Sequence, residues 1–138
     1  MLEGIKDLTT EQLNKVPEGF NNNIAWNLGH MVAAQQGICY KRAGLTPHIS
    51  EEFYEQFRSG SKPERPLSDA EIATIKELMA SNIDQLQADY DQQIFGGYTT
   101  WTTRYAVEMA NIDDAIKFLP FHEGLHLGVI SALGKLVR

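Results

Sequence analysis

Apolar positions recur at steps of three and four along most of this chain and divide it into helical segments. Leu2, Ile5 and Leu8 keep helical spacing, and Thr9 with Gln12 reads as a capping box for a short turn that Pro17 ends. A second helix is expected from Asn23 to Ala43, with Asn21–Asn23 as cap candidates and Gly44 as its stop. One of its stripes is Ile24, Leu28, Met31, Gln35 and Ile38; the adjacent one is Trp26, His30, Ala33 and Gly37. The small residues on the His30 stripe allow another helix to come close. Thr46 to Pro66 reads as an irregular connection with a short helix near Glu51 to Arg58, and a connection this long is often functional, for instance as a lid. Ser68-Asp69-Ala70-Glu71 is a second capping box. It opens a helix with Ile72, Ile75, Met79, Ile83, Leu86 and Tyr90 on one face, ending by Gly96-Gly97.

Tyr98 to Tyr105, rich in Thr and aromatics, reads as extended. Asn111 caps a last helix running to about Val137, and Pro120 inside it predicts a kink. That helix carries Leu119, His122, His126, Val129, Leu133 and Leu136 along one stripe. Four main helical segments make an all-α antiparallel four-helix bundle the expected architecture, as one domain over residues 1–138.

The 138 residues are 43% hydrophobic, enough for a single modest core. The net charge of -6 repels phosphate backbones, so nucleic acid is not an expected partner. Nothing approaches eighteen consecutive apolar residues, so no membrane span is expected. The opening Met1 to Asp7 carries acids and no signal-peptide core. Cys39 is the single cysteine, which excludes a disulfide framework and points to a cytoplasmic protein. Cys39 lies in an apolar helical run and reads as a buried structural thiol.

The candidate chemistry lies in the histidines. His122 and His126 are one helical turn apart, where a bundle wants leucine. A buried imidazole needs a hydrogen bond or a metal. His30 on the second helix supplies a third ring, and three protein ligands with open positions suit a catalytic metal site. His48 follows Pro47 in the long connection, reads as solvent-exposed and is left out of the site.

The string His122-Glu123-Gly124-Leu125-His126 also spells H-E-x-x-H, the zinc-peptidase pattern. The residues Leu127-Gly128-Val129-Ile130 that follow do not fit its extended form. A di-iron bundle needs two E-x-x-H motifs, and Glu123-x-x-His126 is the only one here. Haem ligation by a histidine pair from two helices stays open, although the i, i+4 pair on one helix argues against it, since axial ligands come from opposite faces of the ring.

Trp26-Asn27-Leu28-Gly29-His30 and His122-Glu123-Gly124-Leu125-His126-Leu127-Gly128 together resemble the DinB-like (DinB/YfiT) superfamily. The order of segments and the long connection after the second helix resemble it too. The resemblance implies a down-up-up-down four-helix bundle, His30, His122 and His126 as metal ligands, and frequent homodimers. It also implies thiol-dependent S-transferase or isomerase chemistry with bacillithiol, mycothiol or glutathione. Two departures stand out: the first helical segment is short, and Val129 stands where many relatives carry Gln.

The resulting expectation is a metal-dependent transferase or hydrolase on a small-molecule substrate, with a low-molecular-weight thiol as cosubstrate. Imidazole ligands suit zinc, nickel or iron. Glu123 is the candidate general base, although it points about 100° away from His122 on a helix of about 3.6 residues per turn. Trp26, Gln35, Tyr40 and Arg104 are candidates for lining the pocket. A bundle with a structural or regulatory metal and a metal-free interaction module are the alternatives.

Overall fold

The structure, a computed structural model, describes residues 2–138. A 3-10 turn at Leu2–Ile5 leads to α1 (Thr10–Asn14), α2 (Ile24–Cys39) and a second 3-10 turn at Lys41–Ala43. Then follow α3 (Glu51–Phe57), α4 (Asp69–Asp91), the strands β1 (Trp101–Thr102) and β2 (Glu108–Met109), and α5 (Ile112–Val137). The strands pair antiparallel, Trp101 opposite Met109 and Thr102 opposite Glu108. The described chain is thus mainly helical with a small hairpin added, and none of its helices is long and apolar enough to cross a membrane.

The helix starts follow from local chemistry. Thr9 and Ser68 make both reciprocal bonds of a capping box. Asn23, Ser50 and Asn111 accept from the backbone N–H of Trp26, Phe53 and Asp114. Such a cap contributes about 1 kcal/mol. The helix expected to reach Ala43 ends at Cys39 and tightens into the 3-10 turn, closed by Gly44 at φ 71, where glycine is unstrained. α5 runs unbroken through Pro120.

α2 is the central element and packs on α5, α4, α3 and α1. Ile24, Leu28, Val32, Ile75, Ile130 and Leu133 anchor one core cluster; Tyr40, Leu86, Phe95, Met109, Phe118 and Leu119 anchor another. α5 feeds both, with Ala115, Phe118 and Leu119 on one side and Ile130, Leu133 and Val137 on the other. His122 and His126 occupy the interval between the clusters.

Two stripes differ from the sequence expectation. On α4 the buried positions are Ile72, Ile75, Asn82, Leu86 and Asp89, while Ile83 is 55% exposed and Tyr90 lies outside. With half-buried Met79 these positions alternate steps of three and four, a seam that stays on one partner helix. Asp89 is tolerated there because Tyr40 Oη donates to it at 2.6 Å and Gln85 Nε2 at 3.0 Å, with His48 Nε2 at 2.9 Å. On α5, Ile130 and Val137 are buried and Leu136 is exposed. The inward positions from Leu119 to Val137 advance by about 3.6 residues per step, the pitch of a straight helix.

Candidate metal centre

The Trp26–His30 segment is built around its histidine. Asn23 caps α2 and starts the helix so that residues 26, 27 and 30 face α3 and α5. Gly29 gives α3 room: a Cβ there would meet the Phe57 ring at 2.5 Å. Gly37 does the same for Tyr54, where a Cβ would meet the ring at 3.0 Å. The close approach of α3 brings the Phe57 carbonyl within 2.8 Å of His30 Nδ1. That oxygen only accepts, so Nδ1 carries the proton and Nε2 keeps its lone pair. The Trp26 ring lies on His30, with centroids 4.8 Å apart and planes 9° from parallel. Trp26 is itself fixed by donation from Nε1 to Ser61 Oγ at 3.1 Å.

Asn27 does for His126 what Phe57 does for His30. Its Nδ2 donates to Asn23 O at 2.7 Å and Asn22 Oδ1 at 3.2 Å, which uses both amide hydrogens. Its Oδ1 must therefore accept from His126 Nδ1 at 2.8 Å. His126 Nε2 is left as a bare lone pair. His122, one turn earlier on α5, places its Nε2 3.3 Å from His30 Nε2. One ligand nitrogen from each of the three rings lies within 4.8 Å of the others. Nitrogens sharing a tetrahedral ion at ~2.0–2.1 Å sit about 3.3 Å apart. The His30–His122 spacing matches that figure, and the three nitrogens together could hold one metal ion, with the outer hydrogen bonds that orient metal-binding imidazoles in place on two of the three rings.

The electrostatics agree. Burial, with smaller contributions from neighbouring imidazoles, lowers His122 to about 3 and His126 to about 4. Burial lowers His30 too, opposed by its bond to Phe57 and helped by the charge of Arg104. Neutral rings present lone pairs instead of competing protons.

The triad lies on the wall of a cleft of about 860 Å³ between α2, α3, α5 and the hairpin. A site on an open cleft leaves room for water or substrate beside an ion. Trp26 and Arg104 line this cleft. Arg104 sits at the hairpin tip, which Thr103 pins by accepting on Oγ1 from the N–H of Tyr105 and Val107. Tyr105 docks that tip on α5 through the rings of Phe118 and Phe121.

The other expected site residues lie elsewhere. Tyr40 is 1% exposed and turned to Asp89 on α4, not to the cleft. Gln35 and Glu123 line a separate small groove with Leu78, Met79 and Ile83. Position 123 lies around the helix from His122, so the carboxylate faces the α4 side, where burial pushes its pKa up. Among the described residues, no Asp or Glu lines the cleft with the triad. His48 is exposed, as its position in the connection predicts, yet it is bonded to Asp89. Cys39 is buried and its thiol is pushed up to about 12. The long connection is a wall of the site, since α3 supplies the Phe57 carbonyl and Tyr54 to it.

The sequence reading passed over the roles of Asn27, Gly29 and Phe57. Asn27 carried a signal: a polar residue one turn before His30 on the inward face of an apolar helix. Phe57 acts through its carbonyl, which no side-chain pattern reports.

The sequence model of the DinB superfamily matches residues 1–130, and the chain belongs to that superfamily. No curated protein and no solved structure matches it.

Proposed function

We propose that this DinB-superfamily protein is a divalent-metal-dependent enzyme acting on a small molecule, with His30, His122 and His126 as ligands. Zinc or nickel is the ion of choice, with iron third. The observation that carries the reading is the pair of tautomer locks, Phe57 O on His30 and Asn27 Oδ1 on His126, which aim two bare Nε2 atoms at one point beside His122. Such locks accompany metal-binding imidazoles.

A bound ion would supply Lewis acidity and lower the pKa of a coordinated thiol or water. The chain's residues do the rest. Trp26 holds the His30 ring and shields one face of it from water. Asn27 and Phe57 keep the ligand nitrogens deprotonated. The aromatic walls of the cleft, including Trp101 and Phe118, exclude water from a bound substrate. With no carboxylate among the described residues that line the cleft, the proton of the nucleophile leaves to solvent. That suits a thiol cosubstrate, which gives up its proton more readily than water does. The reaction class is therefore S-transfer with a low-molecular-weight thiol, with hydrolysis second.

The same reading carries the down-up-up-down four-helix arrangement, a cytoplasmic location and a homodimer. The dimer is supported by the exposed Phe121 and Leu136 on α5. A structural ion is the second reading, favoured by the position of the triad between two core clusters on α2 and α5.

The test is a panel of thiols (bacillithiol, mycothiol, glutathione) with electrophilic acceptors on zinc- and nickel-loaded protein. The proposal expects turnover that His126→Ala abolishes. Unchanged turnover in His126→Ala refutes the site. Loss of stability on chelation together with no turnover across the panel assigns the ion to structure.

A further inference from the structure

We propose that the cleft is selective for small organic anions, with the guanidinium groups of Arg42 and Arg104 receiving a carboxylate or phosphate group. The inference rests on the reading of this cleft as a substrate site and adds the charge of what enters it.

The chain as a whole is acidic, with 18 Asp and Glu against 12 Lys and Arg. The cleft inverts that balance. Among the described residues, its charged lining side chains are Lys41, Arg42, Arg58 and Arg104, with no carboxylate. A third of the basic residues of the protein thus converge on one concavity. Such a concentration of one sign within low-dielectric walls raises the local concentration of the opposite charge.

Two of the four cations are already answered. Lys41 Nζ is 2.9 Å from both carboxylate oxygens of Glu51, and Arg58 Nε is 2.6 Å from Glu55 Oε2. Arg42 and Arg104 have no carboxylate partner among the described residues. Both are nevertheless positioned. The Arg42 guanidinium lies over the Trp101 ring at 4.1 Å, which covers one face and leaves its N–H edges free. Arg104 rides on the hairpin tip that Thr103 and Tyr105 fix against α5. A guanidinium held by its face or its backbone, with its fork unengaged, matches the planar, bidentate geometry of carboxylate and phosphate. The aromatic and apolar walls contributed by Tyr54, Trp101, Phe118, Leu125 and Val129 would accept a compact organic body between that anionic group and the three imidazoles. The cleft volume of about 860 Å³ lies in the range of small-molecule sites.

Both tryptophans of the chain, Trp26 and Trp101, line the cleft, so intrinsic fluorescence reports on its occupancy. The experiment titrates the full chain, metal-free and zinc-loaded, with phenylphosphonate, benzoate and the neutral benzyl alcohol. Expected is saturable quenching by at least one anion, about tenfold tighter than by the alcohol and weakened by added salt. Arg42→Gln and Arg104→Gln should each weaken the anion about fivefold or more, leave the alcohol unchanged, and retain the wild-type circular dichroism. Lys117→Gln, on the exposed side of α5, should change nothing. The better of the two anions identifies the headgroup. Equal affinity for anions and alcohol, or unchanged anion binding in both arginine variants, overturns the proposal. The metal reading stands or falls separately: anion binding without zinc uptake removes the ion and keeps the anion site, whereas zinc uptake without anion preference does the reverse.

Discussion

Replacing Asn27 by alanine separates an oriented metal centre from three histidines that happen to meet. Asn27 is fully buried and its Oδ1 is the 2.8 Å partner of His126 Nδ1. Truncation removes the acceptor that fixes the tautomer and ring angle of His126. The Asn23 carbonyl keeps its backbone donor, Asn27 N at 3.1 Å, so the helix start survives. Losing an outer partner of a metal-bound imidazole typically costs ~10–100-fold in affinity, or about 1.4–2.7 kcal/mol. A stranded buried N–H would cost the metal-free fold about 1–3 kcal/mol, less whatever His126 regains by changing tautomer. Competition with a chromophoric zinc chelator measures the affinity, and urea unfolding of the metal-free protein measures the fold. Asn27→Ala should bind zinc at least tenfold more weakly and still fold. Equal zinc affinity in wild type and Asn27→Ala refutes the account of His126.

Other predictions test separate parts of the structure. Gly29→Ala drives a Cβ into the Phe57 ring and displaces the carbonyl that holds His30; zinc affinity should fall about tenfold, and an unaltered affinity contradicts the proposed packing. His122 and His126 stand far below the ordinary histidine range, at about 3 and about 4. Folded values below unfolded ones give stability that is present above the unfolded pKa of about 6.5 and lost as pH falls toward the folded values. Metal-free protein should therefore weaken to urea between pH 6.5 and 4, while zinc affinity stays flat from pH 8 to about 5. A proton-competed fall in affinity beginning at pH 6.5 argues against buried, neutral rings. Asp89→Ala strands the buried Tyr40 hydroxyl and should cost about 2 kcal/mol in urea unfolding; a change under about 0.5 kcal/mol removes that network from the stability of the fold.

What was legible in the sequence was local. Thr9, Asn23, Ser68 and Asn111 announced helix starts because a cap is made within four residues. The triad was legible because histidines on inward stripes stand out against leucine. The α4 seam was not. Ile83 and Tyr90 looked inward by hydrophobicity, whereas Asn82 and Asp89 hold the buried positions, and the partners of Asp89 come from Tyr40 and His48, dozens of residues away. Glu123 beside His122 in sequence invited a catalytic role, but one residue of helix turns it into a different groove. Gln35 stood on a stripe of a helix buried nearly all round, which does not say which neighbour a side chain meets, and Tyr40 turns to Asp89 just past the end of that helix. The Phe57 carbonyl and the cations of the cleft depend on tertiary approach, and no periodicity encodes that.

The most direct measurement is elemental analysis of purified protein reconstituted with zinc or nickel and freed of excess ion by gel filtration, beside His30→Ala, His122→Ala and His126→Ala. The account predicts about one equivalent per wild-type chain and a large loss in each variant that still folds by circular dichroism. Less than about a tenth of an equivalent in the wild type, or undiminished metal in the variants, would contradict it.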